Sequence, residues 1–191
     1  MKPGKIFVVS APSGAGKTTL CSIIRKNHPQ LAYSISHTTR APRKNETHGV
    51  DYFFITKQEF QEGIKNSVWA EWAEVYGNYY GTSLDFIRER ISSGAHLLLD
   101  IDVKGADQIK ETYPEAVTIF IMAPSLEILE KRLRDRGTDS EAVIQKRLAA
   151  AEQEIARKDD YDVVIVNDDL DRAAKELSEI ICGGDKSLEQ E

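Results

Sequence analysis

The chain has 191 residues with 25 basic and 31 acidic side chains, a formal net charge of −6, and 41% hydrophobic and 29% charged residues. That is the composition of one medium-sized folded domain, and it excludes a disordered chain. No apolar run approaches the ~20 residues that span a bilayer, and MKPGKIFVVS lacks the apolar stretch and cleavage site of a secretory signal. Cys21 and Cys182 are too few for a disulfide framework, which favours a reduced, cytoplasmic setting. His28, His37, His48 and His96 do not fall at zinc-ligand spacing.

The first 45 residues carry eight Lys or Arg and no acid, whereas the remainder holds 17 basic and 31 acidic groups. Such a distribution argues against broad nucleic-acid binding and for a small anion bound locally. Residues 5–10 (KIFVVS) form a short β-branched apolar run, read as a buried strand. A Gly-rich turn follows, then a helical pattern over about 17–26. Further buried strands are expected at 96–101, 117–122 and 162–166, each followed by a helical pattern, at 103–113, 125–135 and 170–181. Continuous apolar strands alternating with helices predict an α/β fold with a parallel sheet covered on both faces. Two segments break the rhythm. Residues 34–82 are rich in aromatics and turns, with a strand-like DYFFI at 51–55 and a Thr56/Glu59 capping box opening a helix. Residues 131–158 are helical in pattern, arginine-rich and interrupted at Gly137.

Ala11-Pro-Ser-Gly-Ala-Gly-Lys17-Thr18 stands between the first strand and the first helix and, apart from Ala11, reads as a phosphate-binding G-x-x-x-x-G-K-[ST] loop. Backbone N–H groups of such a loop point at phosphate oxygens, Lys17 adds a charge beside the β- and γ-phosphates, and the Thr18 hydroxyl can ligate Mg²⁺. LLLD at 97–100 ends an apolar strand in an acid, the form expected of a carboxylate beside that ion. If the strand continues, Asp102 shares the face of Asp100. Arg40 and Arg43 can present guanidinium forks to one phosphate. EWAEVYGNYYGTS at 71–83 suggests a tight-turned strand pair with hydroxyls available. A carboxylate such as Glu71 could accept from guanine N1–H and N2–H₂, which adenine cannot satisfy. Spacing leaves open which acid does so. Residues 131–147 hold six basic groups against three acids, and Arg132 and Arg136 share a face if their helix persists.

SAPSGAGKTTL, SHTTRAPR, GVDYFF, EWAEVYGNYYGTS, LLLDIDVKG, RLRDRGTDSEAVIQKRL and VNDDLDRA, in order over nearly the whole chain, resemble guanylate kinases. The resemblance implies a P-loop core at 1–33, 83–130 and 159–191, a GMP-binding insertion at 34–82, and a lid at 131–158. It implies transfer of the ATP γ-phosphoryl group to GMP and dGMP. Ser36, Arg40, Arg43, Tyr52 and Tyr80 would hold the GMP phosphate and its surroundings, and Glu71, Thr82 and Asp100, with Ser36, would read guanine. Ala11, Pro12, Ser13, Gly14, Ala15, Gly16, Lys17, Thr18 and Thr19 would hold ATP, with Arg132 and Arg136 from the lid and Asn167 near the adenine. Lys17, Arg43, Arg136 and Arg147 would carry catalysis, with Mg²⁺ held by Thr18 and, through water, Asp100. ATP and GMP are the expected partners, with no nucleic acid or membrane, and a homo-oligomer is open. Two rivals are a non-catalytic peptide-binding module of the same fold, against which Lys17 and Thr18 speak, and a kinase for another small phosphate acceptor.

Overall fold

The structure, a computed structural model, describes residues 3–75, 77–137 and 139–183. Five strands form one parallel sheet: β1 (Ile6–Ser10), β2 (Ala32–Tyr33), β7 (Leu97–Asp100), β8 (Val117–Met122) and β9 (Val163–Val166), in the order β2-β7-β1-β8-β9. Every β1 residue is buried. Side chains alternate along a strand, so Phe7 and Val9 enter one core layer and Ile6 and Val8 the other. The first layer is covered by α1 (Lys17–Asn27) and α7 (Leu170–Cys182), through Leu20, Ile24, Leu177 and Ile181. The second is covered by α3 (Leu84–Ser92) and α4 (Val103–Thr112), through Ile87 and Ile109. Burial on both faces is why β1, β7 and β8 read as apolar runs.

The first break folds into a second sheet, ordered β4-β3-β6-β5, from β3 (His37–Thr38), β4 (Phe53–Phe54), β5 (Trp69–Val75) and β6 (Asn78–Ser83). The strand pair expected at 71–83 is the antiparallel β5–β6 ladder. The capping box expected at Thr56 is present and opens α2 (Lys57–Lys65). DYFFI is strand only at Phe53–Phe54, because Asp51 Oδ2 accepts the Thr47 N–H at 2.8 Å and holds the preceding residues in a turn. Three elements escape the sequence reading: the two-residue strands β2 and β3, and α3, which Ser83 caps by accepting from the Phe86 N–H. The second break takes in the end of α5 (Leu126–Asp135) and all of α6 (Glu141–Ile155). A short 3₁₀ turn over Lys158–Asp160 leads into β9. Among the described residues no helix is long and apolar enough to cross a membrane.

β1 sits between β7 and β8, so the chain leaves the carboxyl ends of β1 and β7 toward different neighbours and opens a crevice there.

Candidate active site

The loop after β1 turns through Gly14 and Gly16, at φ 97° and 98°, values that favour glycine. A Cβ on Gly14 would press on Leu129 and Leu133 of α5, and one on Gly16 would collide with the Asn167 amide. Ala11 carries no such strain, since Ser67 is the one non-glycine with positive φ among the described residues. Gly16 caps α1 without a side-chain hydrogen bond, and the first turn holds no acid. Its amide donors are therefore available to an anion. Asn167 is buried beneath the loop, outside the cavity, where its Nδ2 donates to Ala15 O at 2.7 Å. Arg132 reinforces this brace, donating to Asn167 O at 2.8 Å and Ala15 O at 3.5 Å.

Lys17 Nζ lies 2.7 Å from Asp100 Oδ1 and donates to Ile101 O at 2.9 Å. Burial pulls the ammonium down, but Asp100 overrides it and holds Lys17 above its ordinary value. β7 ends at Asp100, so the conditional strand face for Asp102 does not form. Asp102 instead caps α4, its Oδ1 accepting from Gly105 N–H at 2.8 Å, and it still lines the same cavity.

That cavity, about 400 Å³, is walled by Ser13, Lys17 and Thr18 at one end and by Ser36, Tyr52, Glu71 and Tyr80 at the other. Ala11, Pro12, Gly14, Gly16, Thr19 and Asp100 also line it, as do Arg136 and Arg147. α5 stops at Asp135 and Arg136 is its cap residue. Arg132 and Arg136 thus do different things, one braced inward and the other exposed. Arg147 Nη1 donates to Ser13 Oγ at 3.0 Å. Ala15 is fully buried.

At the far end Glu71 is 4% exposed, and its Oε1 accepts from the Thr82 hydroxyl at 2.6 Å. Burial pushes its carboxyl up to about 7, against the opposing Thr82 bond. Thr82 itself is buried behind Glu71, outside the cavity. Arg40 and Arg43 also stand outside the cavity wall. Arg40 pairs with both oxygens of Glu46, at 2.8 and 2.9 Å, and Glu46 accepts the Arg43 N–H at 2.7 Å. The Arg43 side chain is 71% exposed and pairs loosely with Glu46 at 4.0 Å.

Three residues of this arrangement were missed by sequence reasoning. Glu46 had no motif to mark it. Gly105 packs beneath Glu71, and only the fold brings them together. Glu154 lines the cavity with its carboxyl pushed up to about 7, chiefly by burial. Glu154 had a signal: it lies seven residues after Arg147 on α6, hence on the same helix face.

A phosphate-binding loop and a buried carboxylate thus share one cleft, and known proteins match the chain over nearly its whole length. A family model for guanylate kinase matches residues 3–183. A guanylate kinase of Carboxydothermus hydrogenoformans is 52% identical over 95% of this chain and 89% of its own. One from Rubrobacter xylanophilus is 46% identical over 97% and 99%. The crystal structure of guanylate kinase from Anaplasma phagocytophilum, 34% identical, superimposes with a TM-score of 0.79 over 100% of this chain and 89% of that one. The chain belongs to the guanylate kinase family, whose reaction is the phosphorylation of GMP by ATP.

Proposed function

We propose that this chain transfers the ATP γ-phosphoryl group to GMP or dGMP in this cleft, giving ADP and GDP or dGDP. One observation carries the reading: the uncapped α1 terminus and Lys17 open onto the same cavity as Glu71, so two nucleotides can meet phosphate to phosphate. The 11–19 loop receives the ATP phosphates. Glu71, oriented by Thr82 and flanked by Ser36, accepts guanine N1–H and N2–H, while adenine would leave the buried carboxylate unpaired. Deoxyribose changes a hydroxyl that none of these contacts uses.

Arg40, Arg43, Tyr52 and Tyr80 hold the GMP phosphate, whose oxygen is already an anionic nucleophile and needs no side-chain base. The obstacle is bringing two polyanions together, and Lys17, Arg43, Arg136 and Arg147 supply the opposing charge. Thr18 and, through water, Asp100 would hold Mg²⁺. Both offer oxygen donors suited to a hard cation, and both residues line the cavity. The ion would draw charge from the phosphate oxygens. In this reading residues 34–82 form the acceptor-binding insertion, 131–158 the lid, and the remainder the core. Closure of the lid, with Arg132 at its base, excludes water and suppresses ATP hydrolysis. A cytoplasmic location, where ATP is abundant, suits this chemistry.

The test is ADP production from ATP and Mg²⁺ with GMP, dGMP, AMP, UMP or CMP. GMP and dGMP should be turned over at least roughly a hundredfold faster than AMP. Equal rates with AMP refute the guanine pocket, and no acceptor-dependent rate refutes the kinase. K17A and R43A should each cut turnover roughly tenfold or more with folding intact.

A further inference from the structure

Arg147 is held by two groups that meet at one nitrogen, Nη1. Its Nη1 donates to Ser13 Oγ of the phosphate loop at 3.0 Å and stands 3.5 Å from Asp139 Oδ2, in the turn between α5 and α6. Asp139 differs from the other acids around it. The Glu141 side chain is 60% exposed and pairs outward with Arg134, as does Glu130, whereas the Asp139 side chain is 13% exposed. Its Oδ2 is buried and makes no hydrogen bond. Ser140, not Asp139, occupies the cap position of α6. An inward-turned carboxylate oxygen without a hydrogen bond is unfavourable unless a nearby charge compensates it. The Arg147 guanidinium is that charge.

We propose that Asp139 is a positioning residue for phosphoryl transfer, fixing the Arg147 guanidinium at the mouth of the phosphate loop. When a triphosphate arrives, Arg147 exchanges the Ser13 hydroxyl for a phosphate oxygen while Asp139 keeps its orientation. The 3.5 Å separation is longer than an ordinary charged hydrogen bond and leaves room to tighten once Nη1 gives up the Ser13 hydroxyl. Asp139 is negative and faces a site for anions, so its contribution is orientation, gained against an unfavourable local charge. This sets it apart from an electrostatic role. Neutralising Asp139 makes the cleft more attractive to ATP, so a fall in kcat without a rise in the ATP KM marks lost positioning.

The proposal rests on the reading that Arg147 serves the transferring phosphoryl group, and a mutant cycle separates the two. The full chain is compared as wild type, D139N, D139E, R147Q and D139N/R147Q, with kcat, the ATP KM and the thermal midpoint measured for each. R147Q should lower kcat roughly tenfold or more, and D139N should lower it by about fivefold with the ATP KM unchanged or reduced. D139E, which keeps the charge, should recover part of that loss. In the R147Q background D139N should cost nothing further, because Asp139 acts through Arg147. An unchanged kcat in D139N, or a D139N loss that persists undiminished in R147Q, overturns the proposal. An unchanged kcat in R147Q overturns the reading of Arg147 beneath it. D139S carries the same comparison if the amide variant does not fold.

Discussion

In the proposed guanine pocket, burial and recognition act against each other at Glu71. Its carboxyl is pushed up to about 7, first by burial, and the Thr82 hydroxyl at 2.6 Å compensates only in part. A carboxyl whose pKa rises on folding makes the folded state the stronger proton binder. Its stabilising share is therefore present below the ordinary carboxylate value of 4.5 and is lost as pH climbs through about 7. E71Q removes this dependence. The variant should be more stable than wild type by about 3 kcal/mol at pH 8, and the difference should shrink to about 1 kcal/mol or less at pH 5. Denaturant unfolding at the two pH values measures it, and an equal difference at both would refute the assignment. The same substitution places an amide NH₂ against guanine donors, so the GMP KM should rise about a hundredfold. Ligand-free wild type should conversely bind GMP more weakly as pH falls below about 7, because the protonated acid no longer accepts both N–H groups. Glu71 was visible in the sequence as a carboxylate near tyrosines and glycines. Its burial was not, since alternation along β5 leaves open which face turns inward until α4 is in place.

At the scale of elements, legibility followed length and period. β1, β7 and β8 announce themselves because each is buried on both faces and mostly apolar, and β9 because its four residues are all apolar, although it lies at the sheet edge with Val166 38% exposed. β2 and β3 have two residues each, too few for any period, and exist through pairing with β7 and β6. α3 does carry a signal, Ser83 as cap with Leu84, Ile87 and Ile91 at helical spacing, but it follows β6 without a loop. The contact least accessible to pattern reasoning is that of α4 with β5, where Gly105 lies against Glu71. A Cβ on Gly105 would come 2.5 Å from Glu71 Oε2. Gly105 does not have positive φ, so G105A strains no backbone and adds up to about 1 kcal/mol of helix propensity. The methyl group must instead displace the Glu71 carboxylate. G105A should therefore raise the GMP KM about tenfold or more, leave the ATP KM unchanged and shift the thermal midpoint little. Matched changes in both KM values would mean that α4 had moved as a whole, contrary to this account.

Over the whole molecule, the cations around the cleft find partners both near and far along the chain. Lys17 rests on Asp100 and Arg40 on Glu46, and Arg147 of α6 rests on Ser13 and Asp139. The net charge of −6 therefore coexists with a cleft whose positive groups are largely neutralised from within. Arg136 is different: it is exposed, lines the cavity, and makes no ion pair among the described residues. Two nucleotides bring several negative charges that the internal pairs cannot all meet, so the uncommitted Arg136 should be drawn inward, and the α5–α6 segment with it. Either nucleotide alone asks for less. Small-angle X-ray scattering should then show contraction chiefly when GMP and a non-hydrolysable ATP analogue are present together. The change should be on the order of 1 Å from the roughly 16 Å radius of gyration of a compact chain of this length. R136Q should bind both ligands yet contract by less than half as much. An unchanged radius with both ligands bound to the wild type would mean that the cleft is already closed and that Arg136 reaches its phosphate without moving the lid.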